Sequence, residues 1–166
     1  MTNPYADDLG TRDAVAALAE TPERIRTIVA GMREEDFSRS YGAGKWTAAQ
    51  LLDNLAKTEM IFGLRIRMAL TTPGYVVQPF DQDAILAREG RHTGRESFET
   101  YYALRRWTLP LYRSLTPDER DRRFTHPEHG EINIEYLLAV LAGHERHHAA
   151  HLEQVARVLT SPTPTP

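Results

Sequence analysis

The last quarter of the chain predicts one long helix, which begins at an Asn133 N-cap and continues to about Leu159. Apolar residues recur there every three or four positions, a spacing typical of a helix that is packed on one side. Strand signals are weak along the rest of the chain, whereas helical periodicity is common. This segment therefore favours an all-α fold.

Histidines interrupt the apolar stripe of this helix. An ideal helix turns about 100° per residue, so the direction of each side chain follows from its position. Four histidines lie on one arc of the wheel, none more than about 60° from the direction of His144: His144, His147, His148 and His151. The same arc holds residues that must face the core, namely Leu137, Leu141 and Val155. We therefore expect these imidazoles on the buried side of the helix.

Buried imidazoles need a partner, because burying an unpaired polar group costs about 1–3 kcal/mol. A metal ion is one solution, since residues four apart on a helix converge on a single ion. His144 with His148, or His147 with His151, has that spacing. The alternative is that the rings form hydrogen bonds with carboxylates or backbone groups across the bundle. The clustering of four histidines on one arc favours the metal.

Two further long helices contain prolines. The first covers Asp13–Met32, and Thr21-Pro22-Glu23 within it has the form of a helix start, which divides the helix in two. The later one covers Arg95–Ser114, and Pro110 is expected to kink it or end it early. Between them, a capping box at Thr47 and Gln50 opens a helix that continues to about Leu70.

These elements predict a single helical-bundle domain over residues 1–160. Four long helices with a longer crossover between the second and the third indicate a four-helix bundle. The crossover contains a predicted short helix near Asp81–Arg88, and His126–Glu131 is expected to form a turn. The tail Ser161–Pro166 alternates proline with serine and threonine, so we expect it to be disordered.

Asn54 is the polar residue that we expect opposite the histidines. It falls within the apolar stripe of the second helix, beside Leu51 and Ile61. Its amide oxygen is a candidate third metal ligand, or it orients a water on the metal; alternatively, the amide bonds to an imidazole with no metal present. The neighbouring Asp53 is the better ligand chemically, but it points about 100° away and is expected in solvent.

Composition excludes several other functions. The net charge is −3, and 20 Lys and Arg are mixed with 23 Asp and Glu without a basic block, so we expect no nucleic-acid partner. The chain has no cysteine, so metal ligands must be histidine, carboxylate or neutral oxygen. No apolar run approaches the roughly 18 residues that cross a membrane, and the polar N-terminus is unlike a signal peptide. These features predict a cytoplasmic protein without a membrane partner.

Four separated motifs carry a family resemblance. They are Lys45-Trp46-Thr47, Pro79-Phe80-Asp81, the segment Phe124–Glu131 and the segment Gly143–Leu152. With these motifs in this order, the chain resembles the DinB/YfiT-like superfamily, especially its YfiT branch. The resemblance implies a four-helix bundle, often a homodimer, that binds a divalent metal such as zinc or nickel through three histidines.

Only two of the family's three histidine ligands have a matching histidine in this chain. The family's histidine pair on the last helix falls on His144 and His148, whereas its first histidine falls on Asn54. The preceding position, often histidine in the YfiT branch, is Asp53. An amide oxygen is a poorer ligand than imidazole for zinc or nickel. The metal site is therefore weakened, completed by Asp53 or a further histidine, or lost.

The resemblance also implies a function. Members are described as metal-dependent hydrolases or as S-transferases that use a low-molecular-weight thiol such as bacillithiol, so we expect an enzyme acting on a small-molecule substrate. In that reading His147 and His151 are candidate catalytic bases. The alternative is a metal-free member that binds small molecules, or serves in stress, without catalysis.

Other residues are expected around this site. Trp46 and three crossover residues are placed to shape a pocket at the end of the bundle: Tyr75, Phe80 and Asp81. In the predicted turn, His126 and Glu128 are expected to be structural, and His129 to be a plain surface residue.

Overall fold

The computed structural model describes residues 2–81, 84–85, 88 and 92–160. Its helices are α1 (Ala6–Leu9), α2 (Ala14–Ala30), α3 (Ala48–Thr71), α4 (Gly94–Ser114), α5 (Pro117–Arg120) and α6 (Ile134–Thr160). A 3-10 helix covers Glu34–Ser38, and strands β1 (Arg123–His126) and β2 (Gly130–Asn133) form an antiparallel hairpin.

The four long helices α2, α3, α4 and α6 confirm the predicted four-helix bundle. Each of α2 and α3 packs against both α4 and α6. The crossover between α3 and α4 covers residues 72–93, as expected. Half of the short helix predicted near Asp81–Arg88, and the whole tail after Thr160, lie outside the described residues. None of the helices in the described ranges combines the length and the apolar character needed to cross a membrane.

Side-chain caps fix where the long helices begin. The Thr47 hydroxyl accepts a hydrogen bond from the Gln50 backbone N–H at 3.2 Å, and the Gln50 side chain accepts one from the Thr47 N–H at 2.9 Å. This is the capping box expected at the start of α3. Asn133 caps α6 in the same way, since its side-chain oxygen accepts from the Tyr136 N–H at 2.9 Å.

The predicted break at Pro22 and early end at Pro110 were wrong. Pro22 lies inside an unbroken α2, although its missing N–H leaves the carbonyl of Leu18 without a helical donor. Arg105 supplies that donor from α4, with its Nη1 atom 2.9 Å from the Leu18 oxygen. Pro110 likewise lies inside α4, which continues to Ser114. Pro110 is exposed, as is the residue whose carbonyl it frees, Arg106, so water can hydrate that oxygen.

A buried ionic layer divides the core of the bundle into two apolar clusters. Arg105 on α4 lies between Glu59 of α3 and Glu145 of α6, and each of the three side chains is at most 1% exposed. Tyr101 donates to Glu145 at 3.2 Å, and Thr108 donates to Glu59. Burial raises the pKa of Glu145 to about 7, and the charge of Arg105 opposes that rise. The layer joins all four helices, because Arg105 also contacts α2.

The predicted turn is confirmed at residues 127–129, but it joins two short strands that were not predicted. In β1 and β2 the residues Phe124 and Ile132 are paired and both are buried. Val77 and Tyr75 of the crossover form backbone hydrogen bonds with Thr125, at 2.8 and 3.1 Å. The hairpin therefore anchors the beginning of the crossover against the bundle.

Candidate metal centre

Asn54, His144 and His148 meet in the interior between α3 and α6. The Nε2 atoms of the two histidines are 3.0 Å apart, and the amide nitrogen of Asn54 lies 3.0 Å from one and 3.2 Å from the other. All three side chains are buried. The convergence expected from the sequence is therefore observed for these three residues.

Hydrogen bonding alone cannot satisfy this triangle of atoms. If both imidazoles present a bare Nε2, the amide can donate to each, but two lone pairs then face each other. If one Nε2 carries a proton, it meets the N–H of the amide, and if both carry protons, they oppose each other. Each tautomer thus leaves one contact between like groups. A cation at the centre removes the conflict, because it accepts three lone pairs at once.

The donor set fits a divalent ion. Zinc–nitrogen bonds of about 2.0–2.1 Å in a tetrahedral site separate the ligand atoms by roughly 3.3 Å, slightly more than the separations observed here. A half-turn of the Asn54 amide exchanges its nitrogen for its oxygen, and the two atoms are interchangeable in position. The set then comprises two imidazole nitrogens and one amide oxygen, which is the ligand set anticipated from the sequence.

The two histidines are held in the neutral form that a metal requires. Burial lowers the pKa of His144 to about 4, with a smaller contribution from the nearby His147. Burial also lowers the pKa of His148, to about 2, aided by the three neighbouring histidines. A neutral imidazole offers a lone pair without first losing a proton. Neither Nδ1 atom has a hydrogen-bond partner among the described residues, so packing orients the rings.

Aromatic rings enclose the centre. Trp46 stacks on His148 with ring centroids 5.7 Å apart and planes 10° apart, which agrees with its expected place at this pocket. Tyr5 packs edge-on against His144 at 5.2 Å. The chain approaches so closely there that a Cβ atom at Gly143 would lie 2.5 Å from the Tyr5 carbonyl oxygen. Sequence reasoning missed Tyr5, since a short polar N-terminal segment gives no packing signal.

His147 and His151 lie at the rim of the centre rather than on the buried arc where they were predicted. The Nδ1 atom of His147 is 3.2 Å from the Asp8 carboxylate, and its side chain is 37% exposed. The His151 ring packs on Tyr41 at 5.1 Å, and burial lowers its pKa. On the ideal wheel His147 and His148 point about 100° apart, and in the bundle His148 faces α3 whereas His147 faces Asp8 of α1.

Asp53 does not belong to this centre. Its carboxylate pairs with Lys57 at 2.6 Å, one turn along α3. The direction predicted for Asp53, away from the histidines, agrees with this pairing. The expectation that it is solvated was only partly right, because its side chain is 15% exposed.

An apolar cavity of about 150 Å³ adjoins Asn54. Its lining includes Thr58 and Ile61 of α3 and Phe80 of the crossover. The two other crossover residues predicted at the pocket lie elsewhere. Tyr75 packs on Phe124 of the hairpin at 5.7 Å, and the Asp81 side chain accepts a hydrogen bond from the Ala84 N–H at 2.9 Å.

The hairpin turn brings together a second set of metal-ligating side chains. Ligand atoms of His126, Glu128 and His129 lie within 4.8 Å of one another. The two imidazole rings stack with centroids 4.4 Å apart. His126 is buried and its Nδ1 accepts from the Glu128 N–H at 3.2 Å, which agrees with its expected structural role. Its proximity to His129 was not expected from the sequence.

The fold and the histidine pair on α6, which faces Asn54 of α3, define a class: a four-helix bundle with a candidate ligand site between its second and last long helices. A family profile described as the DinB superfamily matches residues 17–152, so the chain belongs to the DinB superfamily.

Curated relatives are similar over most of their length. The chain is 29% identical over 147 residues to "Putative metal-dependent hydrolase YfiT" of Bacillus subtilis, covering 86% of this chain and 82% of that protein. It is 28% identical over 141 residues to a "Putative metal-dependent hydrolase" of Oceanobacillus iheyensis, covering 84% and 82%. The solved structure of Bacillus subtilis YfiT, described as "a probable metal-dependent hydrolase with an unusual four-helix bundle topology", superposes with a TM-score of 0.79 at 26% identity. That match covers 90% of this chain and 87% of the other.

Proposed function

We propose that this protein is a metal-dependent enzyme that acts on a small molecule, as a hydrolase or as a thiol S-transferase. The observation that carries the proposal is the convergence of Asn54, His144 and His148, whose contacts conflict in every tautomer without a cation. The metal-dependent relatives support it. A bound zinc or nickel ion would supply a Lewis acid that lowers the pKa of an adjacent water or thiol.

His147 has the surroundings of a general base. With its Nδ1–H donated to the Asp8 carboxylate, the Nε2 atom keeps its lone pair free to accept a proton. The His147 ring centroid is 5.3 Å from that of His148, so the base lies beside the centre. Asp8 would hold the ring in one orientation. His151, 4.4 Å from His147 by ring centroids, is the second candidate for receiving the proton.

The surrounding side chains would hold the substrate and exclude water. Trp46 covers His148, and Tyr5 covers His144. The apolar cavity beside Asn54, walled by Phe80, fits an apolar group of the substrate next to the metal. In hydrolysis, a water would lose its proton to the base and attack the acyl carbon, and the bond from that carbon to the alcohol or amine would break as the leaving group takes up that proton. In thiol transfer, the thiol would lose its proton to the base, and its sulfur would form a bond to the electrophilic carbon while the leaving group departs with its bonding electron pair.

The second candidate is a metal-free small-molecule-binding module. One observation favours it: the residue that faces His144 and His148 is Asn54, whose amide is a poorer ligand for zinc or nickel than an imidazole. This module would bind a small molecule in the apolar cavity and would not convert it.

A pair of activity assays tests the proposal. Protein loaded with zinc or nickel is given p-nitrophenyl acetate alone, or monochlorobimane together with L-cysteine or bacillithiol. The proposal predicts turnover of the ester or of monochlorobimane with a thiol, loss of that turnover after metal removal, and recovery when the ion is added back. Turnover that is the same with and without metal, or none above a His144→Gln/His148→Gln variant, would favour the metal-free module.

Three further expectations stay predictions. We propose a homodimer, a cytoplasmic location and no nucleic-acid partner. Sedimentation analysis of the full chain, fractionation of cells and a nucleic-acid binding assay at stated salt test them in turn.

A further inference from the structure

Arg65 is a buried cation without a carboxylate partner. Its side chain on α3 is only 7% exposed, and its guanidinium lies over the rings of Phe62 and Phe80, at 5.6 and 5.3 Å. Its one hydrogen bond within the described residues runs from Nη2 to the carbonyl oxygen of Gln78, at 3.1 Å. A guanidinium has five N–H donors, so most of them remain available.

Arg105, which is also buried, has carboxylate partners of the kind that Arg65 lacks among the described residues. Arg105 is matched by the carboxylates of Glu59 and Glu145. Arg65 has no carboxylate within 4.0 Å in the part of the chain that is described, and burial lowers the pKa of its guanidinium. Buried charges are normally paired, because an unpaired charge is costly to remove from water. The described part of the chain therefore leaves Arg65 without a carboxylate in contact, and an anion from outside the chain would fill that place.

A cavity of about 100 Å³ adjoins Arg65. Arg65 lines it together with His126 and His129 of the hairpin, Tyr136 of α6, and Phe62. The backbone N–H of Glu128 donates to Nδ1 of His126, so the neutral ring carries its proton on Nε2 and is a second donor. Donors on a guanidinium and an imidazole, beside an aromatic wall, match the oxygen atoms of an acidic group.

We propose that this cavity binds the carboxylate or phosphate group of a small molecule, with Arg65 as the principal donor and His126 as a second donor. The anion would neutralise the guanidinium and occupy donors that have no partner in the protein. Arginine suits this role because its planar fork matches the paired oxygens of either group.

A cation on His126, Glu128 and His129 is the competing use of the same cavity. The proximity of their ligand atoms allows it. The positive charge of Arg65 opposes it, since this guanidinium is close enough to lower the pKa of His126. Glu128 is exposed and therefore solvated, so it compensates Arg65 only weakly. The carboxylate of Glu128 would thus repel a bound anion and attract a bound cation. Removing its charge therefore distinguishes the two ligands experimentally.

The anion site would select the substrate class of the enzyme. Asn54 and Arg65 are eleven residues apart on α3, which corresponds to about 16 Å along the helix axis. Phe80 links them, because it lines the cavity at Asn54 and its ring also contacts the guanidinium. The use of the anion to orient a substrate toward the metal rests on the proposed function. The binding of the anion does not.

The test uses metal-stripped, desalted full-length protein at constant ionic strength. Inorganic phosphate and succinate are titrated separately, and the imidazole C–H signals of His126 and His129 are followed by NMR. A saturable shift is expected with at least one of them, and the two probes distinguish a phosphate from a carboxylate ligand. Since no metal is present, failure here is independent of failure of the proposed function.

Three variants decide the assignment. Arg65→Gln should weaken anion binding at least tenfold, and Arg65→Lys should weaken it less, because it keeps the charge but loses the fork. Glu128→Gln should tighten anion binding at constant ionic strength. No saturable shift with either probe, or equal binding by wild type and Arg65→Gln, would overturn the proposal. Zinc binding that Glu128→Gln abolishes and Arg65→Gln strengthens would assign the cavity to a cation instead.

Discussion

The side-chain amide of Asn54 lies 3.0 Å from the Nε2 atom of His144, joining two helices whose contacting residues are 90 positions apart in the chain. His148 completes the contact at 3.2 Å from the same amide. In the proposed metal centre, asparagine would therefore take the place of the third ligand. The strength of the site depends on what this one amide contributes.

Asn54→His should strengthen metal binding. An imidazole is a better ligand for zinc or nickel than an amide oxygen, so we expect affinity to rise at least tenfold, or about 1.4 kcal/mol. Competition with a chromogenic chelator measures the change. Asp53→Asn is the matched control, because the neighbouring carboxylate pairs with Lys57 and should leave affinity unchanged. Equal affinities for wild type and Asn54→His would place residue 54 outside the coordination sphere.

Asp8→Asn should slow catalysis without removing the metal. The carboxylate orients His147, and loss of such a partner typically costs 10–100-fold in activity. The fall should appear in kcat rather than in KM, with metal content at the wild-type level. Asp7→Asn is the control from the same turn of α1. A variant that loses metal and activity together would show that Asp8 supports the fold of the site and not the base.

Metal-free protein should lose stability as pH falls below about 6.5. The pKa values of His144 and His148 are lowered in the fold, to about 4 and about 2, so below 6.5 the unfolded chain binds protons that the folded chain does not. Between pH 6.5 and 5 this costs up to about 2 kcal/mol per histidine. Urea unfolding at both pH values measures it.

The control for this pH dependence is the His144→Gln/His148→Gln variant, which retains polar side chains that do not titrate. Its stability should change less over the same range. An equal pH dependence in the variant and the wild type would assign the effect to other groups, such as the surface carboxylates.

Arg105→Met should severely destabilise the bundle. It leaves Glu59 and Glu145 as buried carboxylates without a counter-charge, a change that typically costs about 3–5 kcal/mol. It also removes the donor to the Leu18 carbonyl beside Pro22. The next residue, exposed Arg106, is the control, because Arg106→Met should change the free energy of unfolding by no more than about 0.5 kcal/mol. Similar unfolding midpoints for the two variants would contradict this account.

Local signals in the sequence predicted much of the fold. The capping box at Thr47 and the N-cap at Asn133 mark helix starts, because those side chains satisfy backbone donors whatever the rest of the chain does. The stripe of α6 predicted that His144 and His148 face the core. Asn54 could be placed opposite them because helical spacing puts it among leucines.

What the sequence could not predict depends on distant partners. Arg105 reads as a surface residue until Glu59 and Glu145 converge on it from two other helices. The uninterrupted helix at Pro22 depends on the same arginine. The hairpin strands have four residues each, too few for alternation to be recognised, and Tyr5 contacts His144 only through the docking of the N-terminal segment on α6.

Elemental analysis of protein purified without a metal-affinity tag tests the central claim most directly. We predict one zinc or nickel ion per chain, retained by a His129→Gln variant of the hairpin cluster and lost from His148→Gln. Absence of metal, together with zinc and nickel binding weaker than about 10 μM, a weak affinity, would contradict the account.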